Sequence, residues 1–129
     1  MKVEFGNHFL HNANFKDRER LLRFYRDGLG LKIKSQDDIT EGSSSQNIDI
    51  ILFPNNIFLG IGYHPNEKKL LSPNQWTHAL WFEMLTDEVE NLKTKVLKFG
   101  ATEIDWFWDK GHYYFQDPVG LVFRIVENK

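Results

Sequence analysis

Two stretches of the chain carry apolar residues at helical spacing, and each of them stops at a glycine. The first lies in RERLLRFYRDGLGLKI and ends at Gly30, and the second lies in TDEVENLKTKVLKFGATEI and ends at Gly100. Apolar residues that recur every three to four positions form one face of an amphipathic helix, and glycine favours a helix end. The pattern predicts helices over residues 18–28 and 87–99. Their apolar positions are Leu21, Phe24, Tyr25, Leu29, Val89, Leu92, Val96 and Phe99.

Each predicted helix is preceded by one strand-like stretch and followed by three more. These stretches are short, rich in β-branched and aromatic residues, and bounded by turn residues. The order is therefore βαβββ, twice, within one domain spanning residues 1–129. The first module covers about 1–63 and the second about 76–129, and the polar stretch HPNEKKLLSPNQ (about 64–75) links them. The predicted strands are 8–15, 31–36, 47–53, 56–63, 78–84, 102–108, 112–116 and 121–127.

Composition narrows the classes of function. The 129 residues are 41% hydrophobic and 15% aromatic, with a formal net charge of −2. Such a chain can bury a core, and its mixed, slightly acidic charge argues against a nucleic-acid partner. The lack of cysteine excludes disulfides and thiolate metal sites and agrees with a cytoplasmic location. No apolar run approaches about 18 residues, and no signal peptide is recognisable, so we expect no membrane partner.

Three stretches in order resemble the vicinal oxygen chelate superfamily, which includes glyoxalases, bleomycin-resistance proteins and extradiol dioxygenases. FYRDGLGLKI is similar to its first-helix signature, FEMLTDEVENLKTKVLKFGA to the strand and helix of its second repeat, and FQDPVGLVFRIVE to its closing turn and strand. The resemblance covers essentially the whole chain. It implies an α+β fold in which two tandem βαβββ modules form a curved mixed sheet around a cleft, commonly as a homodimer.

The resemblance also tests whether the chain keeps the superfamily's metal ligands. In the metal-dependent members, the first and last strands of both modules each supply one ligand, typically His or Gln, Glu, His and Glu. Carried onto this chain, the four positions fall on Leu10, Gly60, Ala79 and Arg124. None of these side chains binds a divalent cation. We therefore expect no metal and no other cofactor, as in the bleomycin-resistance branch.

A second interpretation stays open, in which the metal ligands lie at other positions than the superfamily's four. Residues such as His8, His78 and Glu83 would then bind one divalent metal ion. Strand alternation puts His8 on the predicted cleft side, whereas His78 shares the side of the core residues unless a bulge shifts the register. Glu83 faces the cleft and is a candidate general base. Whether the chain is an enzyme stays open; if it is one, the resemblance implies a glyoxalase-like lyase or dioxygenase.

Arg124 is a long cation in the middle of a predicted strand, between Val122 and Val126. A guanidinium in a cleft needs a partner. One interpretation is an internal ion pair with Glu83, and the other is a clamp for a carboxylate or phosphate on a ligand. The candidate ligand-binding residues are Asn12, Asn14, Trp81, Glu83 and Arg124.

Aromatic residues surround the predicted cleft. We expect Tyr114 or Trp108 to extend its wall. Trp106 and Trp108 lie on one side of the predicted strand 102–108, and this pair is equally consistent with a pocket wall and with a dimer contact. An aromatic wall with a few polar groups is typical of a small-molecule pocket. The sequence thus predicts a homodimer that binds a small organic molecule without a metal. A structural subunit with an empty cleft is a further alternative.

Overall fold

The computed structural model describes residues 1–36, 47–65 and 79–128. Within them lie eight strands and two helices. Helix α1 (Arg18–Leu22) follows a 3₁₀ turn (Phe15–Asp17) and continues as a π-helical segment (Arg23–Gly28), and helix α2 spans Val89–Lys98. The strands are β1 (His8–Asn14), β2 (Lys32–Gln36), β3 (Ile48–Phe53), β4 (Ile57–His64), β5 (Trp81–Thr86), β6 (Thr102–Ile104), β7 (Tyr113–Gln116) and β8 (Val122–Glu127).

The strands form two mixed sheets of four. The first sheet has the order β1-β4-β3-β2 and the second has the order β5-β8-β7-β6. In each sheet the first and last strands of the module pair in parallel, and the other pairs are antiparallel. The two modules therefore repeat one topology, and the predicted α+β fold of tandem βαβββ modules is confirmed.

Side chains at the ends of β1 and β5 begin the turns that lead into the helices. The Asn14 side-chain oxygen accepts a hydrogen bond from the backbone N–H of Lys16 at 2.9 Å. In the second module, Thr86 Oγ1 accepts from the N–H of Glu88 at 3.0 Å. A polar side chain that accepts from a backbone N–H two residues later stabilises such turns. The same local chemistry thus starts the helix in both modules.

The first helix differs from the prediction in its last turn. The N–H of Leu29 donates to the carbonyl of Phe24 at 3.1 Å, which is an i to i−5 bond. A π-helical turn adds one residue to the helical path. It lets the consecutive residues Phe24 and Tyr25 both be fully buried. Apolar spacing alone does not distinguish this geometry from an ordinary helix.

The sixth strand is shorter than predicted, because it ends at Ile104 and not at residue 108. The chain turns away from the sheet, and the N–H of Asp109 donates to the carbonyl of Trp106 at 3.1 Å. The Trp106 ring stacks on Tyr114 with its centroid 5.1 Å away. These contacts replace the continuation of the strand. The predicted loop 37–46 and most of the linker lie outside the described residues, as does His78.

One apolar core joins the two sheets. It receives buried side chains from the first sheet, from α1 with its π-helical continuation, from α2 and from the second sheet. Because both sheets contribute one face to this core, each has a second face on its outer side. The outer faces carry the residues of the alternate parity. The buried core includes Ala13, Leu21, Phe24, Tyr25, Ile51, Leu59, Ile61, Met84, Val96, Phe115, Phe123 and Ile125.

Asp49 attaches helix α1 to the first sheet. This buried carboxylate accepts hydrogen bonds from Arg18 Nε at 2.9 Å, Ser35 Oγ at 2.6 Å and the Tyr63 hydroxyl at 2.8 Å. A buried charge is tolerated when it is paired and its lone pairs are satisfied. The hydrogen bond to Asp49 is the main cause that raises the pKa of Arg18. The network fixes the helix against β3.

A buried hydrogen bond connects the two modules. The Tyr25 hydroxyl donates to Asp117 Oδ2 at 2.6 Å, and both residues have 0% exposure. Asp117 Oδ1 accepts from the backbone N–H groups of Val119 at 3.0 Å and Leu121 at 2.9 Å. Burial, and then the charge of Asp117, raise the pKa of Tyr25 well above its ordinary value, so the phenol stays protonated and donates. The helix of one module thereby holds the turn before β8 of the other.

Further contacts hold the same turn. Arg20 Nη2 donates to the Pro118 carbonyl at 2.9 Å, and His11 Nε2 lies 3.4 Å from the Val119 carbonyl. Gly120 adopts φ +97°, a conformation that glycine takes without a Cβ penalty. Helix α1 and strand β1 therefore both contact the turn that leads into β8.

No helix within the described ranges 1–36, 47–65 and 79–128 has the length and apolar character to cross a membrane.

We expect Tyr25→Phe to lower the free energy of unfolding by about 1–3 kcal/mol, because Asp117 Oδ2 would lose its donor in a fully buried site. Tyr113→Phe is the matched control, since its hydroxyl is buried and lacks a hydrogen-bond partner in the described structure. That substitution should be neutral or stabilising. Urea unfolding of the three proteins measures the difference, and equal effects of the two substitutions would contradict the role assigned to Tyr25.

Candidate functional site

The outer face of the second sheet places Glu83 beside Arg124. In the parallel ladder between β5 and β8, Trp81 is opposite Val122 and Glu83 is opposite Arg124. Side chains on one strand alternate between the two faces of a sheet. Phe82 and Met84 therefore enter the core, and Trp81 and Glu83 lie on the outer face. The predicted parity of this strand agrees with the structure.

Arg124 contacts two carboxylates and one aromatic ring. Its Nη2 donates to Glu83 Oε2 at 2.5 Å, and its Nη1 lies 3.4 Å from Asp109 Oδ2. The guanidinium carbon lies 4.4 Å from the centroid of the Trp81 ring, a cation–π distance. The hydrogen bond to Glu83 is the main cause that raises the pKa of Arg124. Of the two sequence interpretations of Arg124, the structure contains the internal pair with Glu83.

Asp109 is a functional candidate that the sequence did not reveal. It accepts a hydrogen bond from the Tyr114 hydroxyl at 3.0 Å, lies 2.9 Å from His112 Nδ1, and contacts Arg124. Burial opposes its charge, but the hydrogen bonds from Tyr114 and His112 prevail and lower the pKa of Asp109. Asp109 follows the predicted strand 102–108, and its spacing in the sequence does not relate it to Arg124. We call Trp81, Glu83, Asp109, Tyr114 and Arg124 the arginine cluster.

Aromatic rings form the wall of the arginine cluster. Trp81 meets Tyr114 edge to face with ring centroids 5.8 Å apart, and Trp106 stacks on Tyr114 from the other side. Val122 and Ile104 are buried beneath these rings. The predicted wall residue Tyr114 is thus in place. Trp108 is instead 73% exposed, and its ring contacts the exposed ring of Phe107 at 4.5 Å.

The other predicted ligand-binding residues lie on the first sheet. Asn12 is opposite Gly62 in the ladder of β1 and β4, and its Oδ1 covers the space above that glycine. Asn14 serves the turn described above, and its Nδ2 donates to the Pro65 carbonyl at 3.2 Å. His8 is exposed, with its ring 4.8 Å from that of Phe58. The structure therefore brings together Trp81, Glu83 and Arg124 but places Asn12 and Asn14 on the other sheet.

The resemblance assigns the superfamily's four metal-ligand positions to Leu10, Gly60, Ala79 and Arg124, and none of these side chains is a usual ligand of a divalent cation. Leu10 and Gly60 are opposite each other in the first sheet, as their assignment requires. The second sheet does not show the same pairing, because the ladder partner of Arg124 is Glu83, and Ala79 lies two residues before β5. In the described part of the chain, no group of three or more His, Asp or Glu side chains is arranged to hold a metal ion. The donor set at these positions does not fit a divalent cation.

Two cavities lie near these elements. One of about 1030 Å³ is open to solvent beside Asp109, and its wall includes Trp106, Tyr114 and Glu103. The other, of about 420 Å³, lies where the modules meet and is lined by apolar side chains, including Leu10 and Leu80. Small-molecule sites in proteins commonly have volumes of about 300–1,000 Å³. The larger cavity reaches the arginine cluster at Asp109 and Tyr114, and its other walls include Val89 and Lys93 of helix α2. It therefore offers room for an organic ligand beside Asp109, at the edge of the second sheet.

Two βαβββ modules, each with its first and last strands paired in parallel, define the class of protein. A family model described as a glyoxalase-like domain matches residues 12–126. The chain belongs to this glyoxalase-like family, within the vicinal oxygen chelate superfamily. Among curated proteins, no sequence matches it.

Solved structures share the fold at low sequence identity. The fosfomycin resistance protein FosX from Mesorhizobium loti is 15% identical with a TM-score of 0.70, over 99% of this chain and 94% of that chain. FosX from Listeria monocytogenes, in complex with Mn(II) and sulfate, is 13% identical with a TM-score of 0.68, over 99% and 95%. The trypanothione-dependent glyoxalase I of Leishmania major is 13% identical with a TM-score of 0.70, over 97% and 87%.

We expect a double-mutant cycle of Arg124→Ala and Glu83→Gln to give a coupling free energy of about 0.2–1 kcal/mol. The value is small because the Glu83 side chain is 46% exposed, so water screens the pair. Urea unfolding of the four proteins measures it, and 1 M NaCl should reduce it further. A coupling above about 3 kcal/mol, unchanged by salt, would instead indicate a buried pair and contradict this geometry.

Proposed function

We propose that the protein binds a small organic molecule, without a metal, on the outer face of its second sheet. The observation that carries this proposal is the guanidinium of Arg124, which stands over Trp81 at a position where the superfamily holds a metal ligand. A fixed cation repels a divalent ion and supplies no lone pair. These properties support a binding site that works without a metal.

The aromatic wall supports binding of a flat ligand. Trp81 and Trp106 present half-buried rings at the arginine cluster, and Tyr114 is buried between them. Accessible aromatic faces stack well on planar molecules. Val122 and Ile104 support these rings from below, which favours a preformed surface. Because it would bind its ligand without a metal, we place the chain nearest to the bleomycin-resistance-like branch of its superfamily. We propose that it binds the ligand without catalysing a reaction. We also propose a cytoplasmic location.

We propose a homodimer because the predicted ligand-binding residues lie on different sheets of the single chain. Asn12 belongs to the outer face of the first sheet, whereas the arginine cluster belongs to the outer face of the second. Exposed Leu10 and Leu80 border the apolar cavity between β1 and β5, and exposed apolar patches commonly mark interfaces. We propose that two copies associate there and bring unlike outer faces together.

The alternative is a divalent-metal-dependent lyase or dioxygenase with displaced ligands. It would use Glu83 together with His8 and His78. In the structure Glu83 already accepts from Arg124, and His8 lies on the first sheet. The position of His78 falls outside the described residues. No contact in the described chain favours this alternative, and the two candidates differ in whether a metal ion accompanies the protein.

A screen of small aromatic compounds, followed by protein fluorescence and thermal unfolding, tests the proposed function. We expect a compound found in this way to bind Trp81→Leu about fivefold or more weakly, because the substitution removes the ring at the arginine cluster. Trp108→Leu is the matched control, since Trp108 is exposed and outside the cluster. A compound that binds both variants equally would place its site elsewhere, and a screen without any ligand would contradict the proposal.

A further inference from the structure

The two amino ends of the Arg124 guanidinium are already engaged within the chain. Glu83 holds Nη2, Asp109 faces Nη1, and the Trp81 ring covers one face of the group. Glu83 and Asp109 each engage one amino group of the guanidinium, so an incoming carboxylate or phosphate would meet a cation whose charge two acids already offset. The anion-clamp interpretation therefore requires the ligand to compete with two charged groups that are fixed beside the arginine.

The charges of the arginine cluster do not balance. Glu83 and Asp109 are acids, and Arg124 is the basic member. The neighbouring Asp105 and Lys110 form their own ion pair at 2.5 Å, so they add no net charge. While the adjacent imidazole of His112 is neutral, one negative charge is left over. Two like charges near one site disfavour a further anion and favour a cation.

Asp109 is better placed than Glu83 to set this preference. Three side chains, Tyr114, His112 and Arg124, lie within hydrogen-bond or ion-pair distance of it. Its side chain is 28% exposed, whereas that of Glu83 is 46% exposed. A carboxylate held by several donors keeps its position without a ligand, and reduced exposure weakens the screening of its charge.

We infer that Asp109 is a specificity-determining residue, which makes the arginine cluster accept a flat, positively charged ligand and exclude carboxylates and phosphates. This inference rests on the proposed function, since it names the ligand class of the same site. The Arg124 guanidinium already covers one face of Trp81, so the ring that remains for such a ligand is Trp106, which lines the same cavity as Asp109. An amidinium or aromatic amine cation can stack on the neighbouring rings and pair with the carboxylate.

Benzamidinium and benzoate are suitable probes, because they have nearly the same shape and opposite charge. Each is titrated at low ionic strength and about pH 8, where an ordinary imidazole is neutral. The indole N–H resonances of the four tryptophans report binding. The wild type should bind benzamidinium about tenfold more tightly than benzoate, as expected from one charge-assisted pair.

The variants Asp109→Asn and Asp105→Asn remove the same charge from the same loop. Asp109→Asn should lower the ratio of the two affinities about tenfold, because it removes the favourable pair and the repulsion together. Asp105→Asn should leave the ratio within about twofold, since the exposed carboxylate of Asp105 faces Lys110. Asp109→Glu keeps the charge and should keep the preference for the cation. Asp109→Glu also tests the inference if the Asp109→Asn protein does not fold.

Tighter binding of benzoate by the wild type would overturn the inference. The same holds if Asp109→Asn and Asp105→Asn change the ratio equally, because net charge and not the position of Asp109 would then decide. Loss of the preference in Asp109→Glu would also overturn it. If neither probe shifts any indole resonance and the aromatic screen is also empty, the proposed function fails together with this inference. If compounds bind but the ratio does not respond to Asp109, the inference alone fails.

Discussion

The hydrogen bond from Tyr25 to Asp117 is the contact on which the arrangement of the two modules depends. It is buried on both sides, and it joins the helix of the first module to the turn that precedes β8 of the second. Because Asp117 also accepts from two backbone N–H groups of its own turn, the bond fixes the path of the chain into β8. A shift of this turn would move every side chain of β8, including Arg124.

This constraint explains why the outer face of the second sheet is presented in one orientation. The core residues of β8 pack against both sheets, and alternation along the strand then directs Arg124 to the opposite face. Glu83 meets it from the neighbouring strand, and Asp109 approaches from the segment after β6. The cluster is therefore built from three separate parts of one module, each held by the sheet. Its chemistry is that of an ion-pair network beside aromatic rings.

The sequence predicted most of the fold because its signals were local and repeated. Helix patterns that stop at Gly30 and Gly100, and alternating strands around them, require only the neighbouring residues to be interpreted. The same alternation correctly placed Trp81 and Glu83 opposite the core. Alternation alone does not show whether the outer faces of the two sheets meet, so the shared site of Asn12 and Arg124 stays a prediction. The sequence does not indicate the role of Asp109 either, because only tertiary packing brings Asp109 to its partners Tyr114 and Arg124.

The metal content of the protein tests our proposal that a fixed guanidinium takes the place of a metal in this chain. The chain is purified without chelators from cells grown with added Mn, Fe, Ni and Zn, and each metal is measured per chain by mass spectrometry. The account predicts no stoichiometric metal in the wild type. One ion per chain that survives dialysis, and that is lost in Glu83→Ala but retained in the control Glu103→Ala, would contradict it and would identify Glu83 as a ligand.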